Sequence, residues 1–306
     1  MSPPPESVSA VVVAYNSGPT LADCVVSLDE AGVGEIVIVD NESTDGSVAL
    51  ATQAVRRARV VRTERNLGYG GGVNQGMKVA SHEFVLVCNS DLSVGREAIE
   101  GLASRLMSDD RVALVGPQLI DRDGTASVSA RAFPTISRSW RQAFAGILAP
   151  KGRTARRYAA ANQAIAGAGG DVDWVTGACF LVRREAFEDV RGFDLSYFMY
   201  VEEVDLCWRL HKAGWRILHE PSLSVTHIGG VSAGRRPYAM VVAHHRSLWR
   251  YSKATAEGHE RLALPLVAVA IACRAVLVLG RKAVSEVSTS RFSDLAGRRR
   301  SEASGP

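Results

Sequence analysis

Apolar positions in the first half of the chain come in short runs that end on small polar residues. These runs alternate with stretches of helical spacing. Val8–Ala14, Glu35–Asp40, Arg59–Thr63 and Phe84–Cys88 are rich in β-branched residues and bounded by polar or turn-forming residues, which predicts strands, the first and last of them buried. Between the first two, Pro19 and Thr20 open a helical pattern carried by Leu21, Cys24, Val25 and Leu28, and a second helix is expected to run to about Ala54. The third strand leads into Asn66–Met77 (NLGYGGGVNQGM), which reads as a glycine-rich loop entering a helix. Strands alternating with helices at this spacing predict a parallel, doubly wound α/β sheet with right-handed crossovers.

Further along, Arg96–Met107 predicts a helix and Val112–Gly116 a short strand. The stretch 128–171, rich in Ala, Arg and Gly, has weak periodicity and is expected to form a long loop with some helix. Trp174–Arg183 is a strand-like run, Gly192-Phe193-Asp194 a turn, and Tyr200–Gly214 has helical spacing. Trp215–Leu218 and Ser222–His227 predict two further strands, and Tyr238–Ser252 a helix. Leu262–Leu279 is the longest apolar stretch, at the lower edge of what spans a bilayer, and Pro265 and Arg274 interrupt it. With Arg281, Lys282 and Arg298–Arg300 beside it, a helix lying in the membrane interface over 262–282 fits better than a spanning one. A buried core helix or a homodimer contact is the alternative. Residues 286–306 read as a disordered basic tail.

Composition narrows the picture modestly. The 306 residues are 46% hydrophobic and 22% charged, ordinary for a globular chain with ample core. A net charge of +4 is too small to imply a nucleic-acid partner. Cys24, Cys88, Cys179, Cys207 and Cys273 are scattered without a CxxC pair, which points to buried thiols in a reducing compartment. The first residues lack a basic segment and a cleavage site, so no signal peptide is expected.

The candidate chemistry lies where strands end. In a parallel sheet ligands are held outside the carboxyl ends of the strands, and there the pattern places Asp40 and the run Asn89-Ser90-Asp91. A carboxylate with a neutral amide on a tight turn suits a hard cation that also touches phosphate; a cap on the next helix is the alternative role for Asp91. Gly68–Gly72 with Asn66 and Asn74 are positioned to face a diphosphate, or the glycines merely make a tight strand-to-helix connection. The glycines follow the third strand, which argues against a dinucleotide-binding fingerprint and hence an oxidoreductase. Glu202, Glu203 and Asp205 crowd a helix start, where desolvation and like charge would make one glutamate a better proton acceptor. Asp205 and Arg209 also form an i,i+4 pair, which is enough to account for both. His227, at the end of an apolar strand, is a candidate metal ligand.

Taken in order, VVVAYN, VDNESTDGS, NLGYGGGVNQG, NSD, WVTGACFLVRREAF, GFDLSYFMYVEEVDLCWRLHKAGW and His227 resemble the family-2 glycosyltransferases. Each motif is weak alone, and seven in the right order are specific. The resemblance covers residues 8 to about 230 and is nearest to rhamnosyltransferases acting on polyprenyl-diphosphate-linked N-acetylglucosamine. It implies a GT-A fold, a Rossmann-like mostly parallel sheet flanked by helices, over residues 1–235. Within it, 8–116 would be the nucleotide-sugar half and 172–230 the acceptor half. A C-terminal helical, membrane-associating extension would occupy 236–285.

By the same resemblance, Asp40 reads the nucleotide base and Ala14, Tyr15 and Asn16 line its pocket. Asn41, Asn66, Gly68, Asn74, Asn89 and Ser90 belong with the nucleotide sugar, and Trp174, Gly177 and Arg209 with the acceptor. Asp91 matches the last acid of the Asp-x-Asp metal motif, whose first position is Asn89 here, so Mg2+ or Mn2+ would rest more on Asp91 and His227. Glu203 stands where the family has the Asp of a Glu-Asp catalytic pair, leaving Glu203 or Glu202 as the base, with Asp205 beside them. The implied reaction is inverting transfer, most simply from dTDP-L-rhamnose to a lipid-linked saccharide, at the cytoplasmic face of the plasma membrane in cell-wall or surface polysaccharide synthesis. A UDP-linked donor and a non-catalytic sugar-nucleotide-binding relative are the alternatives. A sugar nucleotidyltransferase would carry a basic glycine-rich loop after the first strand, and AYNSGPT has no such base.

Overall fold

The computed structural model describes residues 4–134, 153–227 and 237–302. They fall into two compact units, Met1–Pro134 with Arg157–Arg236, and Thr135–Arg156 with Pro237–Pro306.

The first unit opens with β1 (Val8–Ala14), α1 (Thr20–Glu30), β2 (Glu35–Asp40), α2 (Ser47–Ala54) and β3 (Arg59–Arg62). There follow α3 (Gly68–Val79), β4 (Phe84–Asn89), β5 (Leu92–Ser93), α4 (Arg96–Met107), β6 (Val112–Asp121) and β7 (Ala130–Arg131). After α5 (Arg153–Ala168) come β8 (Gly170–Asp171), β9 (Trp174–Val175), β10 (Cys179–Arg183), α6 (Arg184–Asp189), α7 (Glu202–Lys212) and β11 (Arg216–His227). Among the described residues a nine-stranded sheet runs β3-β2-β1-β4-β10-β6-β11-β5, with β8 added against β11.

The period-2 alternation of the strands builds two cores, one on each face. Val8, Ala10, Val12 and Ala14 of β1, with Ile36 and Ile38 of β2 and Leu86 and Cys88 of β4, pack against α1, α2 and α4 through Leu21, Leu28, Ala51 and Leu102. The intervening Val11, Val13, Val37, Val39, Val85 and Val87 meet Val73, Met77, Phe187, Phe193, Leu206 and Leu210 from α3, α6, the loop after it and α7. A sheet covered on both faces is why these strands read as continuous apolar runs.

Several elements differ from the sequence pattern. The sheet is mixed: β1, β2, β3 and β4 are parallel, whereas β10 runs antiparallel to both β4 and β6. The expected strand 174–183 breaks at Thr176-Gly177-Ala178, and the two expected strands after Trp215 are one, β11, with a register shift between Glu220 and Ser224. The expected strand after α4 is longer, Val112–Asp121, because β11 pairs along it as far as Asp121.

The largest difference is the glycine run, which is helix α3 rather than a loop. A Cβ on Gly72 would fall 2.7 Å from Val13 Cγ1, and one on Gly76 2.3 Å from Val11 Cγ1. These two glycines let α3 lie directly on β1.

The second unit contains α8 (Pro237–Thr255) and α9 (Glu260–Glu302), so helix covers residues 286–302 of the expected disordered tail, and 303–306 lie outside the described residues. Glu260–Arg281 is long and apolar enough to cross a membrane by length and composition. Leu262, Leu266, Val269 and Val276 are exposed on one stripe, and Arg274 Nη1 lies 3.0 Å from His245 Nε2.

Candidate active site

The parallel pairing of β1 with β2 and β4 brings three strand ends to one edge of the sheet. Asp40, opposite Ala14 in register, is buried there, and its Oδ1 accepts a 2.9 Å hydrogen bond from Ser43 N. Arg62 Nε stands 3.7 Å from its other oxygen. Asn16, just past Ala14 and Tyr15, holds a left-handed φ of 49°, and its Oδ1 accepts from Thr44 N at 2.8 Å. Asn41 ties the next loop down: its Oδ1 accepts from Leu67 N at 2.9 Å, and its Nδ2 donates to Asn66 Oδ1 and Gly68 O at 3.1 and 3.0 Å. Asn66 Oδ1 also accepts from Gly68 N at 2.9 Å. Asn16, Asn41 and Asn66 thus knit the loops after β1, β2 and β3 into one rigid floor.

Asn74 is not on that floor. Its Nδ2 donates to Phe193 O at 2.8 Å and its Oδ1 accepts from Phe193 N at 2.9 Å, so both polar atoms are committed to the 192–194 turn. The sequence placed it with the donor sugar, and the structure gives it the work of clamping that turn to α3.

At the end of β4, Asn89 N donates to Ala178 O at 2.8 Å, and Ser90 Oγ lies 2.7 Å from Ser17 Oγ. Asp91 is buried, and Oδ1 faces His227 Nε2 at 3.3 Å. Pairing of β11 with β5, which sets His227 opposite Leu92, brings these two distant residues together. The hydrogen bond to Asp91 raises the His227 pKa above its ordinary value. A carboxylate oxygen and an imidazole nitrogen held this way fit Mn2+ or Mg2+. Among the described residues no group of three or more His, Cys, Asp or Glu side chains is arranged to hold a metal ion. Most coordination positions would therefore fall to phosphate oxygens and water.

The acidic pair sits at the start of α7. Tyr200 and Val201 enter the helix with φ of 66° and 72°, a left-handed conformation that is strained for a β-branched residue and tends to occur at functional sites. Glu202 is 5% exposed, and its Oε2 has no hydrogen-bond partner among the described residues. Burial, then the charge of Glu203, push its pKa up to about 8. Glu203 is half-buried, and its pKa is also raised by burial, against the opposing charge of Arg131. Gly177 lies directly against Glu203, since a Cβ there would be 3.2 Å from Glu203 Cβ. Tyr69 of α3 donates a hydrogen bond to Gly177 O.

Asp205 and Arg209 turn away from this chemistry. Asp205 is buried and accepts from Arg209 Nε at 2.8 Å, while Arg209 Nη1 donates to Val190 O at 2.5 Å. The helical i,i+4 pair is enough to account for both. Trp174 Nε1 donates to Ala132 O at 3.0 Å, and its ring stacks under Arg131 at 5.0 Å, which puts that cation beside the acidic pair. Tyr69 and Arg131 were invisible as site residues in the sequence, because one looked like filler in a glycine run and the other like a loop charge.

The sequence model of the family described as "Glycosyl transferase family 2" matches residues 9–191. The chain belongs to this glycosyltransferase family. Similar to it is the N-acetylglucosaminyl-diphospho-decaprenol L-rhamnosyltransferase of Mycobacterium tuberculosis, 35% identical over 252 residues, covering 78% of this chain and 81% of that one. The Escherichia coli rhamnosyltransferase WbbL is 48% identical over 56 residues, 18% of this chain and 21% of the relative. A mannosyltransferase from Pyrobaculum calidifontis, solved with GDP-Man and Mn2+, has the same fold (TM-score 0.57, 17% identity, 96% of this chain and 83% of that one). So does a solved structure holding UDP, GalNAc and Mn2+ (TM-score 0.58, 17% identity, 80% of this chain); the chain spans 47% of its length.

In this glycosyltransferase the raised Glu202 pKa has a consequence for stability. The folded state keeps that proton to about pH 8, whereas an unfolded glutamate loses it near 4.5. Between these values the folded state binds more protons, so stability falls as pH rises through the window, by at most about 1.4 kcal/mol per pH unit. Glu202→Gln is therefore expected to raise Tm little at pH 5, increasingly up to pH 8, and by a constant amount above. Thermal melts at pH 5, 7 and 9 check this, and a pH-independent difference would contradict it.

Proposed function

We propose that this glycosyltransferase moves L-rhamnose from dTDP-L-rhamnose, with inversion, to N-acetylglucosamine carried on a polyprenyl diphosphate, in cell-wall or surface polysaccharide synthesis. The similarity to the M. tuberculosis enzyme, spread over most of both chains, carries the choice of sugar and acceptor. The acidic pair at the edge of the sheet supports the chemistry.

In this reading Asp40 accepts the N3–H of the thymine base, on the floor knitted by Asn16, Asn41 and Asn66. Glu203, half-buried and so the more accessible of the pair, takes the proton from the acceptor hydroxyl as that oxygen attacks the anomeric carbon. Glu202 holds a proton beside it, and Arg131 keeps Glu203 from being protonated as readily. Asp91 and His227 would hold the divalent ion, which, when bound, neutralises charge on the departing nucleoside diphosphate. The exposed apolar stripe of α9 rests on the membrane that carries the acceptor, at its cytoplasmic face.

Thermal melting with a panel of nucleotide sugars, each with and without Mn2+, tests the reading. A ligand at 100 times its Kd adds about 2.7 kcal/mol to native stability. The expected result is the largest rise in Tm with dTDP-L-rhamnose, greater with Mn2+, and loss of the Mn2+-dependent part in Asp91→Ala. A UDP-sugar giving the largest rise would overturn the donor, and no rise with any donor would overturn the function.

A further inference from the structure

A groove of about 760 Å3 lies along the flank of α3, closed on its other side by α6 and the loop after it. Its size falls within the roughly 300–1,000 Å3 of sites that hold small ligands. Two features of its lining set it apart from ordinary surface. Three cations, Arg65, Lys78 and Arg191, face one carboxylate, Glu188, and the side chains of Arg65 and Arg191 make no ion pair among the described residues. The apolar wall is supplied by Phe187 together with Leu195 and Phe198, which are 67% and 43% exposed.

That exposure is not the looseness of a wandering loop. The Asn74–Phe193 clamp fixes the start of the segment, Ser196 N caps onto Asp194 Oδ1 at 2.8 Å, and Phe198 O presses on Gly68. A rigid segment that presents large apolar side chains to water beside unpaired cations is built for an amphiphilic anion. The same segment continues through Tyr200 and Val201 into Glu202 and Glu203, so the groove ends close along the chain to the acidic pair.

We propose that this groove binds the diphosphate–isoprenoid end of the acceptor, the cations taking the diphosphate and the Leu195–Phe198 wall taking the first isoprenoid units. The proposal deepens the function argued above and rests on it. A diphosphate joined to a hydrocarbon chain matches both halves of the lining, whereas a nucleotide would leave the apolar wall in water.

Farnesyl diphosphate, which has both parts and no sugar, is the probe, added to the full chain in EDTA. It is expected to raise Tm more than inorganic pyrophosphate at equal concentration. Arg191→Asn combined with Lys78→Gln should weaken farnesyl diphosphate binding at least tenfold. Asn tolerates the left-handed φ of 61° at position 191, so the backbone is spared. Leu195→Ser should weaken farnesyl diphosphate and leave pyrophosphate unchanged. The rise in Tm with dTDP-L-rhamnose and Mn2+ should be the same in both variants as in the parent chain.

Unchanged farnesyl diphosphate affinity in the variants, with a normal response to donor, overturns the groove and leaves the function standing. Equal responses to pyrophosphate and farnesyl diphosphate overturn it too, since the apolar wall would then do nothing. Loss of binding to phosphatidylglycerol vesicles with farnesyl diphosphate affinity intact would make the surface a membrane contact instead. Absence of any donor response in the parent chain, with farnesyl diphosphate binding lost in the variants, would overturn the rhamnosyl reading and keep the groove.

Discussion

Glu203→Gln is expected to lower kcat by about 10²–10⁴-fold, the range that a positioned general base contributes, while the rise in Tm with donor and Mn2+ stays in place. Gln keeps the size and hydrogen-bonding reach of the side chain and removes only its ability to take a proton. The loss should therefore appear in turnover and not in the binding of the donor. Glu202→Gln separates the two neighbours. Glu202 is the more deeply buried, with an unpartnered oxygen and a proton held to about pH 8, and its replacement should lower kcat far less. It should also leave the acid limb of the pH–rate profile where the parent has it, because Glu202 is protonated and uncharged while Glu203 ionises. Steady-state rates for both variants between pH 5 and 9 check this. A Glu203→Gln enzyme within tenfold of the parent, or a larger loss in Glu202→Gln, would assign the base to Glu202.

Gly68→Ala carries the second large effect, on stability and activity together. Gly68 holds φ at +75°, and a Cβ there would stand 2.1 Å from Phe198 O and 2.9 Å from Phe198 C, both backbone atoms. The left-handed conformation alone costs an L-residue about 1–2 kcal/mol. The clash must in addition push the 198 backbone outward, two residues before the strained Tyr200–Val201 pair that aims Glu202 and Glu203. Gly46→Ala is the matched control, with φ at +76° and nothing within 4 Å of the new Cβ. It should lower Tm by the conformational cost alone and leave turnover near normal, while Gly68→Ala lowers Tm further and abolishes most turnover. Equal losses of Tm, or a Gly68→Ala enzyme with full activity, would show that the contact with Phe198 does not hold the catalytic loop.

Much of the site was legible because its signals are local. A β-strand's two-residue period and a helix's spacing are properties of neighbouring residues, so β1, β2, β4, α1, α4 and the body of α7 could be read directly from the sequence. Strand ends carrying Asp40 and Asp91 follow from where those runs stop. The i,i+4 spacing of Asp205 and Arg209 likewise foretold their ion pair.

What the tertiary structure alone decided depends on approach between segments far apart in the chain. Nothing in the sequence shows that Gly72 and Gly76 admit a strand, and only the valines of β1 beneath them reveal it. Asn74 became a clamp because Phe193 lies opposite it, and Asp91 gained its imidazole because β11 returns to pair with β5. The raised pKa of the acidic pair likewise comes from burial, chiefly a product of packing rather than of the residues' spacing. Sequence by itself determined β1, β2, β4, α1, α4 and the body of α7, and which residue types stand at their ends. The tertiary structure decided which of those residues meet, because contacts between distant segments depend on topology and close packing and leave no periodic trace along the chain.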